Sequence, residues 1–504
     1  MPGGTQHMVQ AGAYTAVGLV GYLLVVVVIG YWGSKKVSSE EDFFLGGEQL
    51  PGWALALSER SSGMSGWLLL GIPGLAWSAG LSSVWVLVGT AGGAIVQWLI
   101  FARPFMEGRK ETGAITPIGL LAEKMPTDSP IVRLLPALVT FLFYMGYVGS
   151  QFLAGGKILE QIFGIAPLTG LLIVAALIIL YSLAGGFLAV VWTDAMQALL
   201  MIFTLIVLPG VLLAGVITDP NQSLMGGLAA SGGGRASWFG GKSGAAALVL
   251  LGANLSWLFA YFGGYPHLNV RMMALRSDRD RRTAIVVASV WGVLTAIGAV
   301  LLGLLTRVLH GAPQTVVTDR EMVLPFMVLE HTPGLLGGVL LAGALAAMMS
   351  TADSQLVVAS SAAAQDVYNK VVTKNREFSE ATRLRISRIA TLLVGAVGLT
   401  IAISVENLVY TLVSYSATGL FSAFGPAFTL LFFWRDRFSK AGLVAAFVVG
   451  PVATVLWITL GLTSIVTVRL VAPPIGFAAA IAASLLWPRE KPTEATTGTP
   501  AAQD

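Results

Sequence analysis

Inside an apolar stretch running from Trp53 to Trp77, the chain reads Ser58, Glu59, Arg60, Ser61, Ser62, Gly63, Ser65 and Gly66. Hydroxyls, charges and glycines at this density interrupt a helix, and the backbone groups they free must find partners. Carbonyl and hydroxyl oxygens suit a hard cation, and amides at the start of a helix suit an anion. A second interruption, Phe262-Gly263-Gly264-Tyr265-Pro266-His267, lies five apolar stretches further on. A simple kink is the plainer explanation of either one. Non-helical backbone at membrane depth is tolerated only where protein or a wet cavity supports it, and paired breaks in corresponding halves point to a binding site.

Two further groups carry chemistry. Ala347, Ser350, Thr351 and Ser354 share one face of a helix beside Asp353, so their carbonyls and hydroxyls offer oxygen ligands to a cation. Any single hydroxyl there more often bonds its own i−4 carbonyl. Asp194, in Trp192-Thr193-Asp194, is a second carboxylate within or beside the membrane, where charge is expensive; a helix cap at the interface is its plainer role. Glu59 and Arg60 point about 100° apart on a helix, so each is expected to have another partner.

The elements that position these residues follow from composition. Of 504 residues 55% are hydrophobic and 11% charged, against roughly 25% charge in soluble domains, so lipid is the expected solvent. Apolar runs long enough for a bilayer core recur throughout, centred on 13–33, 53–78, 82–102, 132–161, 166–184, 187–216, 246–269, 283–308, 334–364, 385–404, 407–434, 441–461 and 466–487, about thirteen spans. Basic residues gather in alternate loops: Lys35 and Lys36; Arg103, Arg109, Lys110 and Lys124; Arg271, Arg276, Arg279, Arg281 and Arg282; Lys370 to Arg388; Arg435 to Lys440. The opposite loops offer little beyond Arg235, Lys242, Arg307 and Arg320. The positive-inside rule then puts the N-terminus outside and the C-terminus in the cytoplasm.

Residues 1–11 lack the basic start of a signal peptide, so the first span is expected to stay. The outer loop from Thr218 to Gly244 is rich in Gly and Ser, and the tail from Pro488 to Asp504 is polar and expected to be disordered. The net charge of +4 is scattered among loops, so no nucleic-acid partner is expected. There is no cysteine, and the histidines are His7, His267, His310 and His331 only, so no His/Cys metal site is expected. Ala236 to Ser243 ends like a phosphate loop but has Ala236 in place of the first glycine and no strand–loop–helix context, so no nucleotide is expected. No catalytic residues and no enzyme activity are expected.

Five segments together resemble the sodium/solute symporter family, and within it the bacterial sodium/proline symporters: Asp42-Phe43-Phe44-Leu45-Gly46-Gly47; Met64-Ser65-Gly66-Trp67-Leu68-Leu69; Gly185 to Val190 with Trp192-Thr193-Asp194; Pro266-His267; and Met349 to Gln355. The likeness runs through nearly all the spans. It implies an all-α integral membrane protein of the APC superfamily, amino-acid transporter type, in which two inverted five-helix repeats with discontinuous helices, 51–217 and 245–435, form the core. Residues 1–50 would precede it, two peripheral spans at 436–487 would follow, and 488–504 would be the tail. The resemblance also implies a symporter in the cell membrane that couples sodium entry to uptake of a small solute, L-proline first, with no cofactor besides the transported ion. Another amino acid or a small carboxylate, with proton coupling, is the alternative, and a transporter-like sensor a distant one.

Carried over position by position, the resemblance places sodium on the carbonyls of Ser61, Met64 and Ala347 and the hydroxyls of Ser350 and Thr351. A second cation position falls on Asp194, Asp353 and Ser354, Asp353 standing where relatives with two sodium ions have a serine. Substrate falls on Ser65, Gly66, Trp67, Tyr147, Trp257, Tyr261 and Pro266, with one extra residue between Tyr261 and Pro266. Gly63 departs from the pattern: similar proline symporters carry an aspartate there.

Overall fold

A computed structural model describes residues 12–47, 49–125, 127–311, 319–404 and 409–489. The expectations for residues 1–11 and for the tail from 490 lie outside the described residues. In chain order the helices are α1 (Ala13–Ser34), α2 (Glu40–Leu45), α3 (Gly52–Gly66), α4 (Ile72–Ala79), α5 (Val84–Val96), α6 (Ala102–Thr112), α7 (Pro117–Lys124), α8 (Ile131–Phe163), α9 (Pro167–Thr218), α10 (Leu224–Ala230), α11 (Gly244–Leu255), α12 (Pro266–Met273), α13 (Asp278–His310), α14 (Val323–His331), α15 (Gly334–Ser361), α16 (Glu380–Ser404), α17 (Val409–Phe433), α18 (Lys440–Thr459) and α19 (Val468–Leu486). The described residues form eleven helical segments long and apolar enough to cross a membrane. Two of these, Gly52–Thr112 and Pro167–Thr218, run to 61 and 52 residues. Both contain a backbone reversal: Gly80 has φ 68°, and Gly186 has φ 51°.

Gly186 shows why the second reversal sits where it does. A Cβ at this position would lie 2.5 Å from the Phe43 carbonyl oxygen, so only glycine has both the torsion and the room. Phe43 belongs to α2, which lies against α9 and is fixed at both ends by its own sequence. Asp42 Oδ2 accepts from the Ser39 amide at 3.1 Å while Ser39 Oγ accepts from the Asp42 amide at 3.0 Å, and Gly46 closes the helix in the left-handed region.

Burial separates an inner from an outer set of helices. In α15 and α17, 83% of the most apolar window is buried, against 33% in α1 and α16 and 39% in α18 and α19. The outer helices therefore turn one apolar face to lipid, with Val17, Leu24 and Val28 exposed on α1 and Leu456 and Leu485 on α18 and α19. Helices α8, α9, α13 and α15 pack around the interrupted α3, and α9 reaches from there to the outer face, with 39% of its most apolar window buried. The stretch expected as one span at 246–269 is instead α11, a 3-10 turn Ser256–Tyr261, a break, and α12, which reaches Met273.

Candidate functional site

The break in α3 is a single residue. Ser65 has φ 49° and ψ −176°, a left-handed torsion that L-residues rarely adopt and that costs on the order of 1–2 kcal/mol. Its own hydroxyl offsets part of that cost by accepting from the Trp67 amide at 3.1 Å. The chain then continues through a π-turn, Trp67–Gly71, into α4. The Gly66 amide, released by the break, donates to Gln151 Oε1 of α8 at 3.1 Å.

Beside the break, α15 approaches α3. Thr351 Oγ1 lies 2.9 Å from the Ser62 carbonyl and 3.0 Å from the Ala347 carbonyl, so one hydroxyl bridges the two helices. Ser350 Oγ bonds the Ala347 carbonyl at 3.2 Å, and Ser61 Oγ bonds the Ser58 carbonyl at 3.3 Å, both within their own helices. Ser61, Met64, Ala347, Ser350 and Thr351 are all buried at this crossing. The set consists of neutral oxygens, the chemistry a hard monovalent cation takes.

One turn away lies an ionic cluster. Asp194 Oδ2 accepts from Ser58 Oγ at 2.6 Å and from Ser62 Oγ at 2.9 Å, and pairs with Arg271 Nη2 at 3.0 Å. The same guanidinium donates to Ser62 Oγ, to Ser354 Oγ and, through Nε, to Ser58 Oγ at 3.1 Å. It also bonds the His267 carbonyl one turn back and lies 5.1 Å from the centre of the Phe187 ring. Asp353 accepts from Tyr181 OH at 2.6 Å and from Ser354 Oγ at 3.1 Å, and forms no ion pair among the described residues. Arg271 had counted among the loop cations; it is fully buried, at the inner end of α12.

Glu59 and Arg60 form the structural ion pair that their adjacency allows. Their side chains curl round the helix to pair with each other, Arg60 Nε donating to Glu59 Oε2 at 2.6 Å. Each also has the additional partner expected of it: the Trp98 indole donates to Glu59 at 2.7 Å, and the Arg60 guanidinium lies 5.6 Å from the Tyr261 ring centre. Gly63 adjoins the same pair, for a Cβ there would meet Leu268 at 3.2 Å and Arg60 Nη2 at 3.6 Å. Glu59 thus neutralises a guanidinium that a carboxylate at position 63 would also face.

Of the residues expected to hold substrate, five gather at the break. Tyr147 OH lies 3.5 Å from Ser65 Oγ, next to Gly66, and the Trp67 and Trp257 rings approach to 4.7 Å between centroids. Tyr147 is 3% exposed and both tryptophans 4%, so the group is closed to solvent on both sides. Tyr261 is turned toward Arg60 and Tyr265, and Pro266 opens α12. Sequence reasoning missed Gln151, Tyr181 and Tyr144, whose hydroxyl accepts from the His267 amide at 3.0 Å. Their one signal was a polar side chain inside a long apolar run.

Interrupted helices in two halves, with oxygen ligands and buried charges where they cross, define a secondary transporter of the inverted-repeat class. Solved structures share this fold. A Na+-coupled sialic acid symporter in its substrate-bound outward-open state superposes with TM-score 0.79 at 19% identity, covering 95% of this chain and 99% of that one. MhsT, in complex with L-phenylalanine, gives 0.51 at 17% identity over 86% of this chain and 97% of that one. In sequence, the chain is 33% identical to the high-affinity proline transporter PutP of Bacillus subtilis over 87% of this chain and 91% of that protein. It is 32% identical to the sodium/proline symporter of Escherichia coli over 86% of each. Residues 43–450 match the Sodium:solute symporter family, and the chain belongs to it. It is a multi-pass membrane protein and a secondary active, sodium-coupled symporter, which decides between sodium and the proton as coupling ion.

Proposed function

We propose that the transported solute is L-proline and that one sodium ion moves with it. The named relatives support the solute, and the chemistry of the break fits it: aromatic faces of Tyr147, Trp67 and Trp257 for an apolar ring, and the Gly66 amide for a carboxylate, which would take the place of Gln151 Oε1. Ser65, Tyr261 and Pro266 complete the substrate set.

Sodium is assigned to the carbonyls of Ser61, Met64 and Ala347 with Ser350 and Thr351. The observation that carries the stoichiometry is a charge balance. Beside α3, Glu59 pairs with Arg60 and Asp194 with Arg271, while Asp353 forms no ion pair among the described residues; another buried guanidinium, Arg469, lies 4.4 Å from the centre of the Trp257 ring. One negative charge, on Asp353, is left for one mobile cation in a medium that tolerates no net charge cheaply. At the second cation position, Arg271 already holds Asp194 and Ser354, so no second sodium is assigned there.

The two long apolar segments support thirteen crossings, because each spans far more than the roughly 30 Å bilayer core and reverses at Gly80 or Gly186. That count is consistent with repeats at 51–217 and 245–435, peripheral spans at 436–487, the APC-type architecture, and an outer N-terminus with a cytoplasmic C-terminus. Removing Arg271 from the loop cations leaves the charge bias of the loops intact. In alternating access, sodium fastens α3 to α15, substrate joins at Ser65 to Trp67, and the repeats rock inward.

The test is uptake of labelled proline into proteoliposomes under an imposed sodium gradient, with other amino acids and small carboxylates as competitors. Saturable proline uptake, first order in sodium, is expected. Sodium-driven uptake of another solute with none of proline would overturn the substrate.

A further inference from the structure

We propose that His310, Glu330 and His331 form a binding site for a zinc-class divalent cation. It departs from the expectation that there is no His/Cys metal site, which rested on the absence of cysteine and the small number of histidines. Folding brings the C-terminal ends of α13 and α14 together, and three ligand atoms converge. His310 Nε2 lies 3.4 Å from His331 Nε2, His310 Nε2 lies 3.3 Å from Glu330 Oε2, and His331 Nε2 lies 3.7 Å from the same oxygen.

These separations are informative. Zinc holds nitrogen and oxygen ligands at about 2.0–2.2 Å, and tetrahedral geometry then sets ligand–ligand edges of roughly 3.3–3.6 Å. The three observed edges fall on or just outside that range. Two imidazole nitrogens and one carboxylate are also a donor set that favours zinc and its transition-metal neighbours over magnesium or calcium, which prefer oxygen alone. Three protein ligands leave a fourth position for water. The side chains of His310, His331 and Glu330 are 16%, 30% and 37% exposed, so a hydrated ion can reach them.

The ligands also stand on fixed backbone. Trp77 of α4, itself fully buried, donates its indole N–H to the Gly311 carbonyl at 3.0 Å and pins the end of α13. The His310 ring packs edge-on to Phe326 at 5.4 Å, and Thr332 closes α14 through its hydroxyl on the Val328 carbonyl at 2.7 Å. Little reorganisation is needed to accept a metal. Because α14 packs on α4 and on the π-turn after the Ser65 break, a bound ion ties the cover of the first broken helix to α13. On the proposed topology this happens on the outer face, and occupancy slows transport.

The experiment is equilibrium dialysis of the full-length protein, purified without a histidine tag, against Zn2+, with metal content read by mass spectrometry. About one zinc per chain is expected for a site of this type, and magnesium in excess should not displace it. Losing only a group that hydrogen-bonds a metal ligand costs about 10–100-fold in metal affinity, so H331Q and E330Q, which each remove a ligand, should weaken zinc binding by at least about tenfold. Sodium-driven uptake without zinc, unchanged in H331Q, serves as the folding control, and E330Q provides an independent variant should H331Q fail it. No zinc on the wild-type protein, or equal zinc on a folded H331Q, overturns the site. Externally added zinc should slow wild-type uptake and leave H331Q uptake unaffected; full wild-type uptake with the metal bound overturns the restraint.

Discussion

The two broken helices look alike in sequence and do opposite things. The break at Gly263 and Gly264 is the more conspicuous, with two glycines and a proline, yet its freed carbonyls are satisfied by protein: Asn269 Nδ2 donates to the Gly263 carbonyl at 2.9 Å, and Thr429 Oγ1 to the Phe262 carbonyl at 3.2 Å. The break at Ser65 has no proline and spans one residue; the Met64 and Ser65 carbonyls accept from the Trp67 amide, and the Ser62 carbonyl, one turn earlier, accepts from the Thr351 hydroxyl of α15 at 2.9 Å. On the proposed sodium site, the first helix offers oxygens to a mobile ion. The second is internally satisfied and contributes a cation of its own, Arg271.

The largest way to disturb this contrast is Arg271→Met. It leaves Asp194 buried without its partner, a loss of about 3–5 kcal/mol for a buried pair, so thermal stability in detergent should fall sharply. In the protein that remains folded, the sodium dependence of uptake should steepen from first toward second order as a mobile ion replaces the fixed one. Normal uptake at first order would erase the distinction between the two helices.

Next in size is Thr351→Ala. Removing one neutral hydroxyl that ligates a charged ion costs about 1.5–3 kcal/mol, so the sodium concentration for half-maximal uptake should rise roughly 10- to 100-fold with little change in melting temperature. Asn269→Ala should do the reverse. Leaving the Gly263 carbonyl unsatisfied costs about 1–3 kcal/mol of stability, seen as a lower melting temperature, while the sodium requirement stays as it was. If the two variants exchanged phenotypes, the assignment of roles would be inverted.

The smallest effect lies away from both breaks and serves as a reference. Burial pushes the Asp42 carboxyl up, but amides and hydroxyls of Ser38 and Ser39 outweigh it and hold the group below the ordinary aspartate range. A lowered value in the folded state means that this contribution is fully present above about pH 3.9, the ordinary value, and is lost as pH falls through the lower folded value. Unfolding followed from pH 6 to pH 3 should show that acid-sensitive component in the wild type and not in Asp42→Asn, with sodium dependence at neutral pH equal in both.

How legible the molecule was depended on whether the information was local. Helix spacing put Ala347, Ser350, Thr351 and Ser354 on one face, and a polar patch in an apolar run located the Ser65 break, so the oxygen-lined crossing was readable. Arg271 was not, because a cation next to a basic loop looks like part of it; only the continuation of α12 beyond Pro266 carries it inward. The Glu59 and Arg60 pair was hidden by a rule about where adjacent Cβ atoms point, which long side chains can evade. The His310, Glu330 and His331 cluster depends wholly on α13 and α14 ending at the same place, a matter of tertiary packing that no spacing rule reaches.

A resident guanidinium also has consequences for how steeply the protein can concentrate its solute. Arg271 never leaves, so its charge crosses nothing, and on the proposed stoichiometry one positive charge travels per cycle with zwitterionic proline. The limiting ratio of inside to outside solute is then multiplied about tenfold by each tenfold sodium gradient and about fiftyfold by each 100 mV of membrane potential. A relative that fills the same position with a second sodium squares that limit, and becomes correspondingly more dependent on the salt around it.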